Sequence, residues 1–212
     1  MRTDTNLIDK SGWSLGPWMD EPDRVQWQHQ GYSCLIVRSE VSGALCGYVG
    51  VAEGHPWYGK GYEDLPDVEV HGGLTYSRFR ADDPQNSEQE KPLWWLGFDC
   101  AHSGDYLPGM AHVTVLLAEW TMIDSVYMDL DAVRWETEDL VMQAMRAAQV
   151  AKGGAMSQFD KVIRCFNCGR IVLPDSDEVG RLSIDGLDPA ERIDPDEDTL
   201  FFHKKCTNKA IR

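Results

Sequence analysis

Asp99, His102 and Asp105 follow one another at three-residue intervals in "GFDCAHSGD" (97–105), directly after the apolar run "PLWWL". Residues three apart on a turn or short helical segment lie near one another, so two carboxylates and an imidazole can converge there. His71 precedes Gly72 and Gly73 in "VEVHGGLTYS", where backbone without side chains admits a close neighbour. Neutral imidazoles and carboxylates together hold a divalent metal with open positions, and such an ion activates water near neutral pH. Without metal, a His–Asp pair serves as general base and orienter. His71, Asp99, His102 and Asp105 are therefore the candidate catalytic set of a hydrolase-like site. The competing expectation is structural. Asp99 and Ser103 are good helix caps, Asp105 is an ordinary turn former, and a strand histidine is commonly a satisfied core group. Cys100 beside His102 has the residue types of a nucleophile and base, but alternation in an extended segment turns both toward the core.

Aromatic residues suggest a different use of the same region. Trp57, Tyr58, Tyr76 and Trp95 are candidates for a wall on which a flat or sugar-like small molecule stacks. Lys60, Arg78 and Arg80 offer an anion contact, and His102 a hydrogen bond. This describes a non-catalytic module that sequesters a small molecule or nucleotide. The plainer alternative is that these rings form the core of a β-rich domain.

A second cluster lies near the C-terminus. "CFNCG" (165–169) and "HKKC" (203–206) combine C-x2-C with H-x2-C. Zinc takes four tetrahedral thiolate and imidazole ligands, and a two-residue gap lets one tight turn present both sulfurs to one ion. Cys165, Cys168, His203 and Cys206 are thus expected to hold one structural zinc per chain, as in the zinc ribbons this tail resembles through those four residues. A further divalent metal in the first domain is a separate expectation. Between residues 174 and 199 ten acids face only Arg181 and Arg192. An acidic loop of that kind disfavours phosphate contact, so a structural zinc or a protein-docking surface is expected rather than nucleic-acid binding.

The totals agree with this. The 212-residue chain has a net charge of −15, which repels DNA and RNA. Its 42% apolar content suits a soluble globular protein, no run is long enough to span a membrane, and the N-terminus lacks the apolar stretch of a secretory signal. A cytoplasmic protein is expected. Cys34, Cys46 and Cys100 sit in apolar surroundings and read as buried thiols.

The elements that must position these residues are short. Residues 1–30 read as coil pinned by Trp13, Trp18 and Trp27. "SCLIVR" (33–38) and "LCGYVGV" (45–51) read as a hairpin, and "LWWLGF" (93–98) as a strand covered on both faces. Residues 67–77 read as a strand broken at the glycines, residues 80–91 as a mobile loop, and residues 111–120 as strand or helix. From Asp124 apolar positions recur at helical spacing up to Lys152, before Gly153-Gly154. The expected fold is α+β: a mixed β-sheet with long coil segments and one long helix in residues 1–152, followed by a small zinc-ribbon module in residues 153–212.

"GPWMDEPDRVQW", "GYVGVAEGHPWYGKGYEDL", "VEVHGGLTYS" and "WWLGFDCAHSGDYLPG" resemble, in this order, a group of bacteriophage and bacterial proteins. That group shares G-H-P-x-Y-G-x-x-Y, H-G-G-L-T-[YF] and G-F-D-C-A-H-x-G-D blocks. The resemblance covers roughly residues 12–152, and the cysteine-bearing tail is an addition to the group's plan. It implies a phage or prophage accessory protein in the host cytoplasm that acts on, or sequesters, a host molecule. It brings no reaction with it. A protein that docks a host partner through its ribbon and acidic surface is the remaining expectation.

Overall fold

Antiparallel pairing organises the first domain. The computed structural model describes residues 1–65, 67–80, 92–110, 125–153, 179–183 and 199–203. Its six-stranded sheet has the order β1 (Arg2–Asp4), β2 (Arg24–His29), β3 (Tyr32–Arg38), β4 (Leu45–Val51), β6 (Trp94–Asp99), β5 (Tyr76–Phe79). Every ladder is antiparallel, which corrects the expected mixed sheet. Parallel neighbours need a long crossover, usually an α-helix, and among the described residues no α-helix stands between consecutive strands of this sheet.

The hairpin of β3 and β4 lies where sequence pattern puts it, with Cys34 opposite Val49 and Ile36 opposite Gly47. β2 was not expected. Its "RVQWQH" alternates cleanly, burying Val25 and Trp27 and leaving the residues between them more open. The Gly, Pro and Asp around it mask that period. The segment 67–75 is likewise not a strand, and pairing begins only at Tyr76.

The helix α1 runs from Leu130 to Ala151, later than the first periodic apolar residue. Asp129 caps it, accepting the Ala132 backbone N–H at 2.8 Å. Val133, Thr137, Leu140, Val141 and Ala144 form its buried stripe. They pack on the sheet face made by Val25, Trp27, Cys34, Ile36, Leu45, Val49, Leu96 and Phe98. Each fully buried aliphatic side chain there contributes about 1.5–3 kcal/mol. Helix and sheet approach closely at Gly47. A Cβ there would lie 2.4 Å from Thr137 Oγ1 and 2.6 Å from the Phe98 ring.

The chain divides into two compact units, Met1–Gly153 and Gly154–Arg212. In the second, β7 (Val179–Ser183) pairs antiparallel with β8 (Thr199–His203). No helix among the described residues is long and apolar enough to cross a membrane.

Candidate functional site

β6 ends at Asp99, and the turn after it is built by carboxylates. Asp99 Oδ1 accepts the Ala101 N–H at 3.0 Å, and its Oδ2 accepts the Thr75 hydroxyl at 2.8 Å. Asp105 Oδ2 accepts the His102 N–H at 2.8 Å, while the Asp105 N–H donates to the His102 carbonyl at 3.0 Å. Short acidic side chains that satisfy nearby backbone donors fix such turns.

His71 is delivered by a different device. Gln143 on α1 accepts the Glu69 N–H at 2.9 Å and donates to the Glu69 carbonyl at 2.6 Å, imitating a strand partner. Glu136, also on α1, accepts the His71 N–H at 3.3 Å. The segment expected to be a strand is therefore tied to the helix by side chains. That frees it to turn at Gly72 and point His71 toward the end of β6.

There the candidates meet. His71 Nε2 lies 3.0 Å from both oxygens of Asp105. His102 Nδ1 lies 3.6 Å from Asp105 Oδ2 and 3.9 Å from Asp99 Oδ1. His71, His102 and Asp105 each offer one ligand atom within 4.8 Å of the others. The Asp105 side chain is 7% exposed, against 27% for His71 and 33% for His102. His102 Nδ1 itself is buried and without a hydrogen-bond partner. Metal bonds of about 2.1 Å give ligand–ligand edges of roughly 3.0–3.4 Å; the His71–Asp105 spacing of 3.0 Å falls in that range and the His102–Asp105 spacing of 3.6 Å is somewhat longer. The same distances let His71 and Asp105 form a direct hydrogen-bonded pair.

The other candidates are placed differently. Trp95 is 1% exposed and Trp57 6%, so neither has a free face for stacking. Tyr58 donates its hydroxyl to the Pro92 carbonyl and meets Phe79 edge-on. Tyr76 lies edge-on to Tyr48. The plainer reading, aromatics as core, holds for both tryptophans. Cys34 and Cys100 are buried; burial pushes the Cys34 thiol up to about 12 and raises Cys100 as well. Neither is a thiolate nucleophile. His55 is also structural, its Nε2 on the Ala144 carbonyl at 2.9 Å and its Nδ1 accepting the Trp57 N–H at 3.1 Å.

A cleft of about 440 Å³ opens beyond the far end of β4, lined in part by Tyr32, Ser33, Glu53, His55 and Lys152. None of the four candidate catalytic residues lines it. Cys165, Cys168 and Cys206 lie outside the described residues, as do residues 81–91 and 111–120, and His203 is described only as the last position of β8. Glu136, which holds His71, was not singled out by sequence; its only signal there is an acid on a helix rich in acids. No family model, curated protein or solved structure matches this chain.

Proposed function

We propose that the first domain carries a metal-dependent, hydrolase-like site acting on a small host molecule or nucleotide. The observation that carries this reading is the buried, unpartnered Nδ1 of His102 beside the His71–Asp105 pair. An imidazole nitrogen left without a partner in a polar pocket costs free energy that a bound cation would recover. His71, His102 and Asp105 would hold a divalent ion, which would supply an activated water near neutral pH. Asp99 keeps lone pairs beyond those used by Thr75 and Ala101, so it would take the proton of the attacking water. The water oxygen would bond to the electrophilic centre as the bond to the leaving group breaks, and the departing group would take the proton from Asp99.

The tail is proposed to be a zinc ribbon, with Cys165, Cys168, His203 and Cys206 around one structural zinc. The antiparallel pair that ends at His203 supports it. On the resemblance of its sequence blocks, the chain is further proposed to be a phage or prophage accessory protein of the host cytoplasm.

Metal analysis of the purified full chain tests both sites. Two metals per chain are expected, one lost in Cys165→Ser and the other in His102→Ala. A single zinc, retained in His102→Ala and lost only when the tail ligands are replaced, would overturn the site in the first domain.

A further inference from the structure

We infer that the cleft beyond the far end of β4 is a second binding site, taking a small molecule whose single oxyanion, a carboxylate or a phosphate, is received by Ser33 and Lys152. This site stands apart from the metal-dependent reading above, since none of His71, Asp99, His102 and Asp105 lines the cleft.

Strand register builds the cleft. Its volume of about 440 Å³ is within the range of pockets that take small ligands. Tyr32 and Ser33 are consecutive on β3, and consecutive strand residues face opposite sides of a sheet. A cleft that touches both therefore wraps around the strand end, next to the turn at Gly31. Ser33 pairs with Gly50 of β4, and both line the cleft. A Cβ at Gly50 would lie 2.9 Å from Leu93 Cδ1, so glycine keeps the wall between Ser33 and Leu93 open. Ala52, Leu93 and Ala148 supply apolar surface for the body of a ligand.

Ser33 is only 5% exposed, and Gln28 Nε2 donates to its Oγ at 2.7 Å. That bond occupies an oxygen lone pair and leaves the hydroxyl hydrogen for another acceptor. No such acceptor stands among the described residues. A buried donor without a partner costs free energy, which an acceptor in the cleft recovers. Lys152 follows the last residue of α1 and lines the same cleft. Among the described residues its ammonium has no carboxylate partner. A lysine at a helix C-terminus ordinarily complements the helix dipole and no more. This one also acts on the cleft wall, where its charge is one of the causes that hold His55 below its ordinary value, after burial.

Those groups set the ligand class. An ammonium and a hydroxyl hydrogen are both donors, and donors bind charged oxygens more strongly than neutral ones. Burial raises the Tyr32 pKa, so its phenol stays protonated as a third donor on the cleft. His55 offers no contact, because its ring nitrogens are taken by the Ala144 carbonyl and the Trp57 N–H. Glu53 lies on the wall too and already has a partner of its own. Its charge disfavours a polyanion, so a ligand with one oxyanion on an uncharged body fits best.

The test uses the full chain and titration calorimetry with benzoate, phenyl phosphate and benzyl alcohol as probes. The tighter of the two anions is expected to bind about tenfold or more above the alcohol, and its identity tells carboxylate from phosphate. Lys152→Gln should remove that preference, and Ser33→Ala should weaken the tighter anion several-fold. A nuclear magnetic resonance titration of His55 locates the anion. A bound oxyanion offsets the Lys152 charge, so the His55 pKa should rise on saturation. In Lys152→Gln it should start from a raised value and not move. Mn²⁺ affinity of the first domain, read by electron paramagnetic resonance, should be the same in Lys152→Gln as in the parent chain. Equal binding of all probes, no binding of either anion at millimolar concentration, an unmoved His55, or parental anion affinity in Lys152→Gln would overturn the inference. Failure to bind Mn²⁺ with the anion preference intact would instead overturn the metal reading and leave the cleft site standing.

Discussion

His71 Nε2 sits 3.0 Å from each carboxylate oxygen of Asp105, whose Oδ2 also accepts the His102 N–H. One nearly buried carboxylate thus closes the turn after β6 and receives the side chain from the glycine turn. Its charge and its acceptor oxygens have separable effects. Asp105→Asn keeps shape and one acceptor but removes the charge, so Mn²⁺ affinity should fall about 10–100-fold with a small change in melting temperature. Asp105→Ala also removes the turn bond and should cost a further ~1 kcal/mol. Unchanged Mn²⁺ affinity in Asp105→Asn would show that the carboxylate is only a turn former.

Gly72 should be the least replaceable glycine of the site. Its φ is +66°, and a Cβ would lie 2.1 Å from His102 Cε1. Gly73 has φ +86° but open space around it. Gly73→Ala therefore costs only backbone strain, on the order of 1–2 kcal/mol. Gly72→Ala adds displacement of the His102 ring, so it should be more destabilising in urea and should also weaken Mn²⁺ binding. Equal costs for the two variants would mean that the ring contact does not exclude a side chain.

Sequence made the cluster of Asp99, His102 and Asp105 visible because their spacing is local, and a turn brings such residues together almost regardless of the fold. His71 was legible as a candidate, through its glycines, but its route to the site was not. That route depends on Gln143 and Glu136 of α1, 74 and 65 residues away from their partners. Nothing in a run of helical acids and amides says which of them reaches a neighbouring backbone. The hairpin of β3 and β4 and the end of α1 followed from period and glycines, whereas β2 was hidden by the turn residues around Trp27. Burial of Trp95 is decided by cross-strand neighbours, and that of Trp57, in the turns after β4, by the core it folds onto; neither segment's own sequence names those partners.

Acid should destabilise the fold through His55. Burial lowers its pKa below the ordinary histidine value, partly opposed by the bond to the Ala144 carbonyl. With Nε2 donating to Ala144, Nδ1 must be unprotonated to accept the Trp57 N–H. The unfolded chain binds the proton more readily than the folded one, so this contribution is complete above about pH 6.5 and declines as pH falls below that. A nuclear magnetic resonance titration should find His55 titrating below the ordinary histidine value, and His55→Ala should cost about 1–3 kcal/mol. A normal histidine titration at this residue would refute the assignment.

Arg38 should be the most sensitive charged residue in the fold. Its fully buried side chain donates Nε to Asp23 at 3.1 Å, Nη1 to the Gly43 carbonyl at 3.0 Å and to Tyr127 at 2.7 Å, and Nη2 to Glu21 at 2.9 Å. Lys10 pairs with the same Asp23 at 2.6 Å, and the other oxygen of Asp23 accepts the Leu7 and Ile8 N–H groups. Arg38→Met leaves Glu21 without a cation and Asp23 with only Lys10, which should cost about 3–5 kcal/mol. Lys10→Met should cost less, because Asp23 then keeps Arg38. Burial by itself would raise the pKa of Asp23, but the bond and charge of Lys10 with the two backbone donors outweigh it and hold the carboxyl below its usual value. Its stabilising contribution is therefore full above about pH 4 and is lost as pH falls through the lowered value. Urea unfolding at pH 7 and pH 3 should show a smaller acid loss in Asp23→Asn than in the parent chain. An Arg38→Met cost below about 1 kcal/mol would mean that the network contributes little more than an exposed ion pair.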